Sequence, residues 1–367
     1  MKRTYIFAGT AAALVLTAAA GFLLYRHEYH SAWQETYDSL VCSIDETKMT
    51  AEYGYPYDIE NAVRYTGDAV FEGTVDTSTV GEQTVTLHLS AKDRHDREVT
   101  RDWPLTVTVR DTASALIWLK DTSFTIPSGT ELPLSEILDV ADRVDGPLVY
   151  SETLTPGTYT VTGMPDTSVP GTAKVAVEAC DRNGNLTSGQ FTVSVYNADA
   201  EYPFRIRINR ELNNVTIYGM DSEGEYSIPV KAMVCSTGAA TPLGTYRTDV
   251  QYRWRALFGN VYGQYAIRIV GNILFHSVPY YSMSLDDLEY EEYNKLGTAA
   301  SMGCIRLCVR DVKWIYDNCP LGTEVELYDD PDDPGPLGKP VPITIDLTSP
   351  NRGWDPTDPD PANPWNS

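Results

Sequence analysis

Hydrophobic and polar positions change period several times along the chain, and each change marks a different kind of element. Behind Lys2 and Arg3, residues Tyr5–Tyr25 are uncharged and mostly apolar. At about 1.5 Å per helical residue such a run just spans a hydrocarbon core of roughly 30 Å, so it is expected to be a membrane-inserted helix. A cleaved signal peptide is the competing reading, because Thr17-Ala18-Ala19-Ala20-Gly21 resembles a processing site. The basic N-terminus orients that end toward the cytoplasm and places everything after Arg26 outside.

Farther on the period falls to two. Asp76-Thr77-Ser78 leads into alternating Val85, Leu87 and Leu89, then Asp93-Arg94 and Leu105-Thr106-Val107-Thr108-Val109. The pattern recurs as Asp166-Thr167-Ser168, Val175, Val177, Ala179, Asp181-Arg182 and Phe191-Thr192-Val193-Ser194-Val195. Alternation bounded by Gly, Pro and Asp turns predicts two β-sandwich modules, 30–112 and 113–199, which resemble bacterial immunoglobulin-like repeats. They are expected to act as a stalk. Asp181-Arg182-Asn183-Gly184-Asn185 has the chemistry of a hairpin turn, and its carboxylate is not taken as a metal ligand.

From Tyr202 the strands continue through Arg205–Ile208, Asn214–Tyr218, Ser227–Val234 and Tyr265–Val270. One helix is expected from Arg310 to Asn318, where Val312, Ile315 and Tyr316 share a face before Pro320 and Gly322. Strand Val325–Tyr328 closes the region. Residues 329–367 carry ten prolines and many aspartates with almost no apolar period, which predicts a disordered or extended tail. Trp354 and Trp365 lie in it without an assigned role.

At 367 residues with a net charge of -23, the chain is multidomain and lacks the basic stripes of a nucleic-acid binder. Cys42 and Cys180 are the only cysteines of their modules, so neither module holds an internal bridge. The remaining four cysteines fall after residue 230. Cys235 reads as a strand residue, and Cys308 and Cys319 as buried thiols, with a bridge between them left open. No metal site and no cofactor are expected.

The candidate chemistry sits in Ser301-Met302-Gly303-Cys304-Ile305-Arg306-Leu307. A free thiol is mostly protonated at neutral pH, so a cysteine nucleophile needs an imidazole partner. His276, in Phe275-His276-Ser277, is the only histidine in the same region. Gly303 lets main-chain N–H groups approach a substrate as oxyanion donors, and Ser301 is expected to brace the turn. Arg306 either clamps a substrate carboxylate or pairs with an internal acid that holds the cysteine loop.

In this arrangement the region Tyr202–Tyr328 resembles the YkuD-type L,D-transpeptidase catalytic domain. That family places a histidine at a strand end, then a Ser-His-Gly-Cys-(Ile or Val)-Arg run, and carries a Thr-Pro-x-Gly-x-(Phe or Tyr) turn. The counterparts here are His276, Ser301–Arg306 and Thr241-Pro242-Leu243-Gly244-Thr245-Tyr246. Met302 stands where the family has a second histidine, and Tyr280–Gly297 lengthens the gap to the cysteine, as a substrate lid or as a solvent loop with one short helix.

The resemblance implies a mainly β chain of five segments: 1–29 tip and anchor, the two immunoglobulin-like modules, a 202–328 β-sandwich catalytic domain with one helix after the cysteine, and the 329–367 tail. It implies Cys304 as nucleophile, His276 as general base and acid, and the Ser277 carbonyl as the group that orients His276. It further implies peptidoglycan stem peptides as substrate; the apolar N-terminal run adds the expectation of an extracellular enzyme, membrane-tethered or, if the run is cleaved, secreted. Transfer to a stem amine, hydrolysis by water and a non-catalytic wall-binding role remain open, and no protein partner can be inferred.

Overall fold

The computed structural model describes residues 4–366, with side chains described from residue 14. The chain is mainly β and divides into two compact units. Unit 1 comprises Met1–Leu116, Val140–Tyr159 and Ala179–Thr187, and unit 2 comprises Ile117–Asp139, Thr160–Glu178 and Ser188–Ser367. The segment expected as a single module, 113–199, is thus shared between the two.

In unit 1 a continuous helix runs from Thr4 to Ser39, so residues 30–39 end a helix where a sandwich module was expected to begin. Its last turns carry Trp33 stacked on Tyr37 at 5.1 Å, four residues apart and therefore on one helix face. These rings, with buried Ala32 and Leu40, lie on the hairpin Gly81–Lys92 and Glu98–Arg110. Arg101 closes the junction by donating to the carbonyls of Tyr37 and Leu40 at 3.4 and 3.1 Å. Tyr37 lies in the last turn of the helix, where its carbonyl also accepts the Leu40 N–H at 3.3 Å, and Leu40 follows the helix end. Among the described residues no helix is long and apolar enough to cross a membrane. The expected anchor falls partly outside the described side chains, up to residue 13.

The hairpin is flanked by Asp68–Glu72, antiparallel to its first strand, and Thr50–Glu52, parallel to its second. The alternation read from sequence is the burial pattern: Val85, Leu87, Leu89, Leu105, Val107 and Val109 all face inward. In unit 2, strand Ser123–Pro127 pairs parallel with Leu186–Tyr196.

The strands between Phe204 and Tyr328 form two sheets. The first is ordered β3-β2-β1-β9-β4, with β1 Phe204–Asn209, β2 Asn214–Gly219, β3 Ile228–Val234, β4 Gly244–Arg247 and β9 Glu324–Tyr328. The second is ordered β5-β6-β7-β8, with β5 Gln251–Leu257, β6 Val261–Val270, β7 Ile273–Ser277 and β8 Ile305–Leu307. Ile206, Ile208, Val215 and Ile217 from the first sheet and Ile267, Phe275, Ile305 and Leu307 from the second belong to one core, which helix Val309–Asn318 completes with Val312 and Ile315. On the outer face of β1, Arg205 and Arg207 meet Glu324 and Glu326 of the parallel neighbour β9 at 2.8–3.2 Å, the opposite-charge pairing that favours this register.

Residues 329–366 overturn the expectation of disorder. They have almost no regular secondary structure, yet Ile345, Asp355, Asp358 and Asn363 are buried. Asn294 exchanges two bonds with the Ile345 main chain at 2.7 and 2.8 Å. The prolines are the reason. Asp330, Asp333, Asp355, Asp358, Asp360 and Asn363 each precede a proline and each accept, through the side chain, the N–H two residues on. Each Asx-Pro step is therefore a self-contained turn rather than free chain.

The tail also completes the helix. The residue before Val309 is Cys308, whose side chain makes no capping bond. Asp355 Oδ2 instead accepts the Val309 N–H at 2.8 Å, and Thr357 Oγ1 the Arg310 N–H at 3.1 Å. A carboxylate at a helix N-terminus satisfies an orphan donor and the dipole together.

Burial pushes the Asp355 carboxyl up to about 6. Between its unfolded value near 3.9 and about 6, the native state holds a proton that the unfolded state has released. The Asp355 contribution is therefore greatest below about pH 4 and falls as pH rises to about 6. Asp355→Ala should lose about 1–2 kcal/mol at about pH 4 and less at about pH 7, by urea unfolding followed through tryptophan fluorescence. An equal loss at both pH values would contradict the assignment.

Candidate functional site

Parallel pairing of β7 with β8 builds the site. The register sets Phe275 against Ile305, His276 against Arg306 and Ser277 against Leu307. Cys304, immediately before β8, is thereby brought beside the start of β7. Two residues separated by the whole insertion thus line one cavity of about 510 Å³ with Tyr252, Phe258, Met302 and Arg306.

The His276 ring is buried, and its Nδ1 lies 2.5 Å from the Ser277 carbonyl. A carbonyl only accepts, so Nδ1 carries the proton and Nε2 keeps its lone pair. The Ser277 side chain is pinned in turn, accepting the Gln264 N–H at 2.9 Å and donating to the Val278 carbonyl at 2.8 Å. Burial, with a smaller push from the Arg306 charge, lowers the His276 pKa to about 4. At neutral pH the imidazole is uncharged and available as a base.

Cys304 Sγ is 3.6 Å from the Asn272 carbonyl. Burial raises its pKa, opposed by a hydrogen bond with the Leu274 main chain and by the Arg306 charge. Both shifts favour a resting pair of neutral thiol and neutral imidazole over thiolate and imidazolium.

The turn that holds Cys304 is tied on three sides. Ser301 Oγ donates to the Cys304 carbonyl at 2.6 Å and accepts the Gly303 N–H at 3.0 Å, so that N–H is already engaged. Thr241, the threonine of the Thr-Pro turn, donates its hydroxyl to the Gly303 carbonyl at 2.8 Å and accepts the Gly238 N–H at 2.9 Å. Arg306 donates to Glu292 at 2.7 Å and to the Ala300 carbonyl at 3.3 Å.

Glu292 belongs to the short helix Tyr290–Tyr293. The insertion is neither a lid nor a solvent loop: Tyr280, Leu288 and Tyr293 are fully buried, and none of its residues lines the cavity. It supplies the acid that fixes Arg306. Met302 is 68% exposed at the cavity rim. Cys308, Cys319 and Cys235 are buried free thiols, and burial raises the pKa of each, Cys235 to about 12.

Sequence reading missed two glycines. A Cβ at Gly263 would lie 2.9 Å from His276 Cβ and 3.0 Å from its Nδ1, and one at Gly238 would lie 1.9 Å from the Ser301 carbonyl oxygen. Each makes room for the site, and nothing but a glycine within a strand-like pattern signals it.

The family model of the L,D-transpeptidase catalytic domain, YkuD, matches residues 203–327. These residues are a YkuD-type L,D-transpeptidase domain. YciB of Bacillus subtilis (strain 168), named as an L,D-transpeptidase, is 39% identical over 113 residues. That alignment covers 28% of this chain and 56% of YciB, little more than half of the relative's length.

Among solved structures, an L,D-transpeptidase from Mycobacterium smegmatis aligns over 71% of this chain and 98% of its own at 14% identity and a TM-score of 0.29. A fused Zn-dependent amidase/peptidase/peptidoglycan-binding domain-containing protein from Clostridium acetobutylicum aligns over 36% and 56% at 25% identity and a TM-score of 0.27. At these scores the assignment rests on the family match to the L,D-transpeptidase domain.

Gly263→Ala should displace the His276 ring and slow acylation of Cys304 by a carbapenem about 100-fold. Alkylation of the same thiol by iodoacetamide, which needs no base in position, should change little. Equal losses in both reactions would mean that the substitution acts on the thiol and not on the ring.

Proposed function

We propose that this chain is a peptidoglycan L,D-transpeptidase in which Cys304 is the nucleophile and His276 the general base and acid. The observation that carries the reading is the parallel β7–β8 register, which sets one base-competent imidazole and one accessible thiol in a single cavity of an L,D-transpeptidase domain. His276 Nε2 takes the Cys304 proton as sulfur attacks the carbonyl preceding the terminal D-alanine of a tetrapeptide stem. The Cys304 N–H supports the oxyanion. A buried imidazolium is costly, so its proton passes promptly to the departing D-alanine amine, leaving a thioester. An amine of a second stem then attacks the thioester and restores the thiol.

Ser301, Thr241 and Arg306 act as positioning residues: they hold the cysteine turn and are not called on to touch substrate. For Arg306 the Glu292 pair favours the bracing role over a carboxylate clamp. Water in place of the acceptor amine would make the same site a carboxypeptidase, through an identical thioester. The apolar Tyr5–Tyr25 run behind Lys2-Arg3 supports export, with the catalytic domain facing the wall either tethered or released by cleavage.

Mass analysis of products from a purified disaccharide-tetrapeptide, with and without an acceptor amine, tests the assignment. Wild type should yield the crosslinked dimer. Cys304→Ala and His276→Ala should each lower its rate by at least about 1000-fold, and normal turnover by either would sink the mechanism. Release of D-alanine without dimer would make the enzyme a carboxypeptidase, and no carbapenem adduct on Cys304 would favour a non-catalytic binder. Met302→His should stay within about tenfold of wild type, because the side chain lies exposed at the rim; a hundredfold gain would show that a second imidazole has a place here.

A further inference from the structure

Unit 1 gathers three aspartates that are distant in sequence. Asp111 follows strand Glu98–Arg110, Asp142 ends strand Leu138–Asp142, and Asp181 opens the turn after Cys180. Asp111 and Asp142 are each 6% exposed and Asp181 fully buried. One carboxylate oxygen from each lies within 4.8 Å of the other two.

Their hydrogen-bond donors are all neutral. Asp111 accepts from the Ala113 N–H at 3.2 Å and from Asn183 Nδ2 at 3.1 Å. Asp142 Oδ1 accepts the N–H groups of Val144 and Asp145 at 2.7 and 3.0 Å. Asp181 accepts the Asn185 N–H at 2.8 Å and its Nδ2 at 2.7 Å. The second oxygen of Asp142, Oδ2, is buried and accepts nothing.

Amide donors orient a carboxylate but bring no net charge, so none of these bonds offsets the repulsion among three carboxylates this close. The scaffold around the cluster is nonetheless built: Asn185 Nδ2 also donates to the carbonyls of Asp111 and Ala113 at 3.0 and 3.2 Å, fixing the segments to one another.

We propose that Asp111, Asp142 and Asp181 bind one calcium ion, with the open Asp142 Oδ2 among its ligands. The donor set is all oxygen, which selects hard cations over zinc or copper. Calcium accepts irregular sets of carboxylates, main-chain carbonyls and water, whereas magnesium demands a near-ideal octahedron and gives up its waters reluctantly. The ion would replace mutual repulsion with a shared attraction and tie three chain segments at one point. Taken from sequence, the Asp181–Asn185 turn is only a hairpin turn; the other two carboxylates reach it through the tertiary fold.

The full chain, purified in non-ionic detergent and stripped with EDTA, is titrated with CaCl₂ by calorimetry and by thermal unfolding. One saturable site of roughly 10⁻⁴–10⁻³ M dissociation constant is expected, as for extracellular calcium modules, with an unfolding midpoint that rises with calcium. Asp142→Asn should bind at least tenfold more weakly and lose that rise. Its metal-free midpoint should match or exceed wild type, because one repelling charge is gone. Asp181→Asn, run in parallel with the same expectation, keeps the result decisive if the first variant does not fold. Absence of saturable binding, wild-type affinity in the folded variants, or magnesium binding as tight as calcium would each overturn the proposal.

Discussion

The catalytic domain depends on one strand pairing. β7 carries His276 and β8 begins one residue after Cys304, and their parallel register brings imidazole and thiol to one cavity. Parallel strands cannot be joined by a tight turn, so the connection between them must be long. Here it is the Tyr280–Gly297 insertion followed by the cysteine turn. Much of the surrounding structure acts to keep that connection from moving: Ser301 and Thr241 bond the turn, and Glu292 in the insertion anchors Arg306 directly across from His276.

Burial sets the electrostatics of the pair. It holds the imidazole neutral and the thiol protonated at rest. The single Nδ1 bond to the Ser277 carbonyl decides which ring nitrogen keeps its lone pair, and Gly263 provides the space in which the ring can be held.

Much of the domain could be read in advance. The helix expected from Arg310 begins at Val309, and the strand expected from Val325 begins at Glu324. Composition misleads about the tail: proline and aspartate predict disorder when counted, but Asx-Pro-X steps are turns one by one. The helix end at residues 30–39 has a comparable local signal, since Trp33 and Tyr37 at a spacing of four mark a helical face.

The sequence by itself determined which residue types could do chemistry and where strands, turns and the helix would form, because those follow from periods of two and of about 3.6 and from local turn bonds. Tertiary structure alone decided which partners meet. Asp355 caps a helix that begins at Val309, Glu292 pairs with Arg306, Gly263 faces His276, and three aspartates of unit 1 converge on one point. Each of these joins residues far apart in the chain or on neighbouring strands, and such meetings depend on strand register and packing, for which no period in a single sequence is a signal.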